Sequence, residues 1–276
     1  MSQVPNLSPV NSTLPGSVSQ TTLPGGGFNT IGSTGADRIG GSPQPDAIRG
    51  NQGDDVVSGG GGNDEIRGGK GNDSVIGGDG GDTLRADIGN DTADGGIGND
   101  SMLGGQGSDY LSGGDDNDTV YGGQDNDTVS GGNGDDQLYG DLGDDVLNGD
   151  AGNDTLYAGK GNDTINGGAG DDLIYGDLGN NTLAGGAGND TFVYRKKDAD
   201  GGATDNIVDF VVGQDKIRLA GFGNLSPSNV TIADNAVPVA GQVVYDSAKG
   251  QLYINGVLAI QLKDAPKLTS SSFEFF

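Results

Sequence analysis

The sequence predicts an all-β protein: a parallel β-roll, that is, a right-handed β-solenoid of nonapeptide repeats, with a small C-terminal β cap. Three observations lead to this fold class. An aspartate recurs every nine residues over more than half of the 276-residue chain, and an apolar residue follows each of these positions by two. Glycine supplies 57 residues without the three-residue period of collagen. After residue 194 the period ends, and short apolar runs typical of strands replace it.

Composition divides the chain into three segments. Residues 1–34 carry no charged side chain and hold four prolines among serine, threonine and glycine, which predicts a flexible Pro/Ser/Gly-rich leader. Residues 35–194 form the repeat array. Residues 195–276 form the predicted β cap, in which Asn255-Gly256 indicates a hairpin turn between two apolar runs.

The aspartate period is almost unbroken. Asparagine replaces aspartate at one of 18 positions, Asn181, and glycine stands two residues before each position except at Gln44, Asp116 and Asp125. Such a register does not arise by chance. The periodic aspartates are Asp37, Asp46, Asp55, Asp64, Asp73, Asp82, Asp91, Asp100, Asp109, Asp118, Asp127, Asp136, Asp145, Asp154, Asp163, Asp172 and Asp190.

Each nonapeptide is expected to divide into a six-residue turn and a three-residue strand. Two repeats then make a coil of 18 residues, with strands on two sides, and coils stack about 4.8 Å apart. Only the apolar residue should point inward, because neighbouring side chains in a strand alternate between faces. The core is therefore predicted to consist of two ladders: Ile39, Val57, Val75, Ala93, Leu111, Val129, Leu147, Ile165 and Leu183 in one, and Ile48, Ile66, Leu84, Met102, Val120, Leu138, Leu156, Ile174 and Phe192 in the other.

The turns are expected to bring oxygen atoms together. Glycines permit φ > 0 there, and the residue before the aspartate is usually Asn or Asp, as at Asn72, a type that tolerates left-handed backbone. Only Glu65 and Glu274 of the 40 acidic residues are glutamate, and the shorter arm of aspartate suits a carboxylate placed beside carbonyls. A solvated acidic coat is the alternative interpretation, but a coat does not need aspartate at one fixed position.

Oxygen ligands in the turns predict calcium, which takes six to eight oxygens at about 2.3–2.6 Å. Alternate repeats share an edge of the roll, so Asp55 and Asp73 should line one edge and Asp64 and Asp82 the other. We therefore expect the 17 periodic aspartates to be calcium ligands at up to 16 sites between stacked turns, fewer where the pattern breaks. In the alternative, a metal-free solenoid, the aspartates would only cap their turns.

Composition also excludes several chemistries. The chain has neither His nor Cys, which removes disulfides, zinc–thiolate sites and the usual general base. A net charge of −26 argues against a nucleic-acid partner. No apolar run approaches the length of a membrane span. The N-terminus has neither the basic nor the apolar region of a secretory signal.

Two clear copies of the repeat are Gly68-Gly69-Lys70-Gly71-Asn72-Asp73-Ser74-Val75-Ile76 and Gly167-Gly168-Ala169-Gly170-Asp171-Asp172-Leu173-Ile174-Tyr175. They follow G-G-x-G-x-D-x-U-x, and the array resembles the RTX (repeats-in-toxin, haemolysin-type) family of calcium-binding repeat proteins. The resemblance implies calcium shared between stacked turns, export by bacterial type I secretion machinery, and folding outside the cell. Residues 204–217 are similar to the segment that follows the repeats in this family and precedes an uncleaved C-terminal secretion signal. The ending Phe273-Glu274-Phe275-Phe276 resembles the ends of exported substrates, or forms the last strand of the cap.

The leading hypothesis is a secreted protein, extracellular or on a bacterial cell surface, that calcium folds and that serves a structural or interaction role. A cell-surface or polysaccharide partner fits that role. The alternatives are an accessory or effector protein of the haemolysin type and a stand-alone remnant of an RTX enzyme. Catalysis is not expected, because the 34 residues before the array leave no room for an enzymatic domain. The basic run Arg195-Lys196-Lys197 is interpreted as neutralising the acidic end of the roll or contacting an anionic surface.

Overall fold

The computed structural model describes residues 18–196, 204–223, 225–226, 228, 230–233, 235–237 and 242–276. The chain forms two compact units, residues 1–137 and residues 138–276. Regular structure in the described residues is almost entirely β-strand, as the sequence predicts. None of the helical segments among these residues has the length and apolarity that a membrane span requires.

The first unit is a stack of parallel strands. Even-numbered strands from β2 to β12 pair with one another in parallel, and odd-numbered strands from β3 to β13 do the same. The bounds are β1 (Ser19–Thr22), β2 (Phe28–Ile31), β3 (Arg38–Gly40), β4 (Ala47–Gln52), β5 (Val56–Gly61), β6 (Glu65–Lys70), β7 (Ser74–Asp79), β8 (Thr83–Ile88), β9 (Thr92–Ile97), β10 (Ser101–Gln106), β11 (Tyr110–Asp115), β12 (Thr119–Gln124) and β13 (Thr128–Asn133).

The register between paired strands confirms the coil of two repeats. Ile66 lies opposite Leu84 and Val57 opposite Val75, so each strand pairs with the strand 18 residues further along the chain. Every residue predicted for the two apolar ladders is buried, with at most 2 % of its surface exposed. The fold class and the core are therefore those that the repeat pattern predicts.

Two details of the repeat differ from the prediction. In most repeats the strand takes six of the nine residues rather than three, because the ladder of hydrogen bonds between coils continues into the glycines, as between Gly105 and Gly123. We number the repeat so that Gly68 is position 1 and Asp73 is position 6. The apolar residue at position 8 is not alone in pointing inward, because position 1 is buried as well. Ala86 and Ala158 replace glycine at position 1 and are no more than 1 % exposed.

The start of the array also differs from the prediction. We expected a flexible leader through residue 34, but β1 and β2 form an antiparallel hairpin. Strand β2 pairs in parallel with β4 and places Thr30 opposite Ile48, where it is 1 % exposed. These residues therefore continue the stack of coils, although Thr30 is polar and breaks the apolar pattern. Residues 1–17 of the predicted leader lie outside the described residues.

The second unit continues the same pattern of two parallel sets. Strands β15, β17, β19 and β21 pair in one set, and β16, β18, β20 and β22 in the other. The bounds are β14 (Gln137–Leu142), β15 (Val146–Ala151), β16 (Thr155–Tyr157), β17 (Thr164–Ala169), β18 (Leu173–Tyr175), β19 (Thr182–Ala187), β20 (Thr191–Arg195), β21 (Asp205–Ile207), β22 (Lys216–Ala220), β23 (Val230–Ala233), β24 (Val243–Asp246), β25 (Gln251–Ile254), β26 (Val257–Leu262), a 3-10 helix (Ser270–Ser272) and β27 (Phe273–Phe275).

The C-terminal strands extend both sets. Strand β26 pairs with β21, and β27 pairs with β22, in both cases in parallel. Strands β24, β25 and β26 form an antiparallel meander, and the predicted turn joins Ile254 to Val257. Asn255 and Gly256 have φ of 55° and 86° there, the left-handed pair that a tight hairpin needs. The last residues thus form a strand, whereas their part in secretion remains a prediction.

Candidate metal centres

In each unit the periodic aspartates form two columns of buried carboxylates. From Asp46 to Asp190 each one is at most 4 % exposed, and Asp37 is half-buried. In each column, Oδ1 of one aspartate accepts a hydrogen bond from the backbone N–H of the aspartate 18 residues earlier. The donor–acceptor distances are 2.7–2.8 Å along the first unit, as from Asp64 N to Asp82 Oδ1 at 2.8 Å. The aspartates therefore line two edges, as the alternation of repeats predicts.

The second carboxylate oxygen is buried without a donor at most of these positions. Burying a carboxylate oxygen without a partner is costly, so the site calls for a cation. Among the described residues, Oδ2 has no hydrogen-bond partner at Asp55, Asp64, Asp73, Asp82, Asp91, Asp100, Asp109, Asp118, Asp163, Asp172 and Asp190. A role in capping the turn accounts for the hydrogen bond that Oδ1 accepts, but it does not account for the burial of Oδ2 without a donor.

The glycine at position 1 leaves the space in which Oδ2 lies. A Cβ on Gly68 would be 2.5 Å from Asp73 Oδ2 and 2.9 Å from the carbonyl oxygen of Ala86, one coil further on. The carboxylate of one turn and the carbonyl of the next turn on that edge therefore meet over a residue without a side chain. Within the described residues no three acidic side chains gather at one point. Carbonyl oxygens must then supply most ligands of any cation, and an all-oxygen set fits calcium.

Left-handed backbone shapes these turns at positions 2 and 4. The glycines of the clear copy, Gly69 and Gly71, have φ of 122° and 127°. Where another residue replaces glycine in a left-handed turn of the array, it is Asp or Asn, the types that tolerate this conformation. These residues are Asn51, Asp87, Asp141, Asp150 and Asp177 at position 2, and Asp116 and Asp125 at position 4. Asp116 and Asp125 therefore keep the turn that we expected them to disturb.

The residue before each aspartate has a role that sequence reasoning missed. We expected left-handed backbone at position 5, but Asn72 does not have positive φ. Its Oδ1 instead accepts the backbone N–H of Asn90, one coil further on, at 2.8 Å, and Asn162 and Asn180 are paired likewise at 3.1 Å. Position 5 thus forms an outer ladder of side-chain acceptors beside the column of aspartates. The preference for Asn and Asp at this position was the available signal.

Burial raises the pKa of several interior column carboxyls, because the charged form loses its hydration. The pKa of Asp64 rises to about 7 through burial, which outweighs the hydrogen bond to the Asp46 N–H, and the charges of Asp82 and Asp46 raise it further. Asp55 and Asp163 are raised to about 6 with burial as the largest cause. The ionised form of these carboxyls is therefore unfavourable in the columns unless a cation neutralises it.

The first two turns are closed differently. Asp37 Oδ2 accepts the backbone N–H of Ser33, and Asp46 Oδ2 accepts that of Ser42, both at 2.6 Å. Asp46 Oδ1 also accepts from the backbone N–H of Phe28 in β2. These carboxylates have protein donors on the oxygen that is bare in the interior turns. Their assignment as calcium ligands remains a prediction, and the geometry favours it less than it favours the interior aspartates.

The columns continue past the array with residues that the nine-residue period misses. Asp215 Oδ1 accepts the backbone N–H of Asp190 at 3.1 Å, and its Oδ2 accepts that of Val211 at 2.6 Å. Asp205 accepts from Asn181 on the other edge. Both are followed after two residues by a buried isoleucine, Ile217 or Ile207, which is the aspartate–apolar spacing of the repeat. The spacing to the preceding column residue is 25 or 24 residues rather than 18, so the period hides them.

The basic run after the array contributes one described ion pair. Arg195 pairs with Asp177, which is 6 % exposed, and its guanidinium lies 4.8 Å from the ring centroid of Tyr175. Tyr175 stacks on Tyr157 with centroids 4.4 Å apart. Arg195 therefore neutralises an aspartate at the end of the roll, as one of the two interpretations expected. Lys197 lies outside the described residues.

A comparison with protein families agrees with this geometry. The family described as RTX calcium-binding nonapeptide repeat (4 copies) matches residues 31–66, 58–93, 94–129, 130–165 and 157–192. No curated protein matches the chain. A solved structure that matches is the AlgE6R3 subunit of the mannuronan C5-epimerase from Azotobacter vinelandii, with 22 % identity over 58 % of this chain and 78 % of that chain and a TM-score of 0.23. The family match spans more than half of the sequence, and its repeats are calcium-binding motifs: the chain belongs to the RTX calcium-binding nonapeptide repeat family.

Proposed function

We propose that this protein is a secreted repeat module whose folding is driven by calcium and which serves a structural or surface-interaction role outside a bacterial cell. The single observation that carries the proposal is the row of buried Oδ2 atoms without donors. In a domain held together by its apolar core, a carboxylate in such a place would destabilise the fold. Here the same feature recurs at most turns of the array, so the fold is built to include positive charge that the chain does not supply.

The chain's own residues prepare each site before any ion arrives. Oδ1 is committed to the hydrogen bond with the previous coil, which fixes the carboxylate and directs Oδ2 towards the glycine at position 1. The left-handed turn brings carbonyl oxygens to the same side. Bound calcium would supply the positive charge that neutralises Oδ2. We propose the interior periodic aspartates, Asp55 to Asp172 together with Asp190, as its ligands.

Export by type I secretion machinery and a location outside the cell belong to the same proposal. Membership of the family supports them, because RTX proteins are typically extracellular. A chain that needs calcium to fold stays unfolded where calcium is scarce and folds after export. A cell-surface or polysaccharide partner would fit the structural role, and a haemolysin-type accessory role or a remnant of an RTX enzyme would use the same folding step.

Calcium titration tests the proposal. The chelated protein at pH 7 should give a circular dichroism spectrum dominated by coil, with strand signal from the C-terminal meander alone, and calcium should restore the strand signal of the array in a cooperative step. Magnesium at the same ionic strength is the control, and it should fail because it demands rigid octahedral geometry and keeps its waters. An identical strand spectrum with chelator and with calcium would contradict the proposal.

A further inference from the structure

We propose that the side-chain amide of Asn181 takes the place of a calcium ion, so that one link between coils is permanently closed without metal. The inference rests on the proposed function, because it assumes that calcium fills the equivalent turns. Asn181 is the one asparagine at position 6 of the repeat, and it is 1 % exposed. It occupies the column between Asp163 and Asp205.

Half of the Asn181 side chain does what every column aspartate does. Its Oδ1 accepts the backbone N–H of Asp163 at 2.9 Å, as Asp163 Oδ1 accepts that of Asp145 at 2.8 Å. The amide orientation is fixed by this bond, because only the oxygen can accept. Asn181 is therefore a full member of the column, and its Nδ2 replaces the Oδ2 of an aspartate.

The other half does what a cation would do. Nδ2 donates to Gly176 O at 2.6 Å, lies 3.5 Å from Gly179 O, and donates to Asp205 Oδ1 at 2.9 Å. Those partners are carbonyls at positions 1 and 4 of its own turn and a carboxylate of the next coil. They are the oxygen types that calcium gathers in this repeat. The amide protons supply partial positive charge to all three, so they need no ion.

The stacked turn on the same edge gives the contrast. Asp163 Oδ2 is buried without a donor, and so is Asp190 Oδ2 on the other edge. Gly176 is the position 1 glycine of the Asn181 turn, and a Cβ placed on it would lie 2.8–3.0 Å from the carboxylate of Asp205. A Cβ on Gly167, the position 1 glycine of the preceding repeat, would instead lie beside Asp172 Oδ2 and the carbonyl oxygen of Gly185. The turn that contains Asn181 therefore presents a filled set of oxygens, and a cation there would have to displace an amide group that cannot serve as its ligand.

Counting ions in the full-length protein tests the assignment. Native mass spectrometry at saturating calcium should show at least one more ion for Asn181→Asp than for the wild type. Asn180→Asp is the matched control, because it adds the same charge one residue away at position 5, where Asp144 and Asp171 already occur. That variant should bind as many ions as the wild type.

The reverse change covers the case in which Asn181→Asp fails to fold. Asp163→Asn places an amide in the preceding turn of the same edge and should lose at least one ion while calcium still folds the protein. Equal ion counts for the wild type and a folded Asn181→Asp, or the same gain with Asn180→Asp, would overturn the inference, as would an unchanged count for Asp163→Asn. A wild type that binds no calcium would instead overturn the proposed function, and the inference with it.

Discussion

Two sets of buried aspartates in this molecule have opposite electrostatics. In the C-terminal meander Asp246 has no exposed surface, yet its pKa is lowered, first by the hydrogen bond from Lys249 at 2.8 Å and then by the N–H groups of Asn235 and Ala248. In the array Asp64 is 3 % exposed and its pKa rises to about 7. Both carboxyls are buried, so burial alone does not decide the outcome. The difference is that the meander carries its own cation and the array does not.

The two regions also differ in what holds them together. The meander buries Val243, Tyr245, Leu252 and Ile254 against one another, and Tyr245 donates from its hydroxyl to Pro266 O at 2.7 Å. Each repeat of the array contributes one apolar side chain per nine residues. Apolar burial contributes about 25 cal/mol per Å², so the thinner core has less to set against stacked charge. We therefore expect calcium to matter for the array and much less for the meander.

Removal of calcium should have the largest effect and should separate the two regions. After chelation at pH 7, amides of β4 to β13 should exchange with deuterium within seconds, because the stacked carboxylates then repel. Amides of β24 to β26 should keep measurable protection. Hydrogen exchange with mass spectrometry gives both in one experiment, with the calcium-loaded protein as the reference. Equal loss of protection in both regions would contradict the comparison.

Acid should partly replace calcium in the chelated protein. In the folded array several column carboxyls have pKa values of about 6 to 7, against an ordinary value of 3.8 in the unfolded chain. Folding then takes up protons between about pH 4 and pH 7, so stability of the metal-free array falls as pH rises through that window.

Circular dichroism with chelator checks this sign. Strand content should be higher at pH 5 than at pH 7.5. The lower pH is kept above the sequence pI of about 4.1, because precipitation near the pI would interfere with the measurement. The calcium-loaded protein is the control and should behave oppositely, because protons compete with calcium for the carboxylates. Strand content that rises with pH in chelator would show that the column carboxyls are not held as the structure places them.

Much of this arrangement could be predicted from the sequence, because a period of nine residues fixes both the coil and the inward ladder. Residues that break the period could not be placed. Asp205 and Asp215 continue the columns at spacings of 24 and 25 residues, so the regular period of the repeats does not reveal them. Ser33 and Ser42 close the first carboxylates with backbone N–H groups, which depends on local dihedral angles rather than on residue type. Thr30 fills a core position although it is polar.

A single interior carboxylate should matter more than one at the first turns. Asp82→Asn should lose at least one calcium ion and lower the melting temperature of the calcium-loaded protein by several degrees. Asp46→Asn should cost less, about 0.5–1.5 kcal/mol, because it alters hydrogen bonds to Ser42 and Phe28 rather than a metal ligand. Differential scanning calorimetry measures both.

Repeating the comparison in chelator sharpens the test, because the effect of Asp82→Asn on the stability of the array should change sign. Without calcium Asp82→Asn removes a buried charge that nothing neutralises, so it should raise the residual strand content in chelator rather than lower it. An equal loss of melting temperature in the two variants with calcium would place Asp46 among the metal ligands after all.

An effect smaller than that of Asp82→Asn is expected in the core of the array at Ala93. It is 2 % exposed and lies in register between Val75 and Leu111, both larger, whereas the other ladder has Leu84 and Met102 at that level. Ala93→Val adds two methyl groups to the thinnest part of the core, which is worth about 1–2 kcal/mol if the space exists. The melting temperature of the calcium-loaded protein should rise by a few degrees. Ala151→Val, at an exposed position of β15, is the control and should leave it unchanged. A lower melting temperature for Ala93→Val would mean that the coil already closes around alanine, and that the two ladders need not match in volume for the coils to stack.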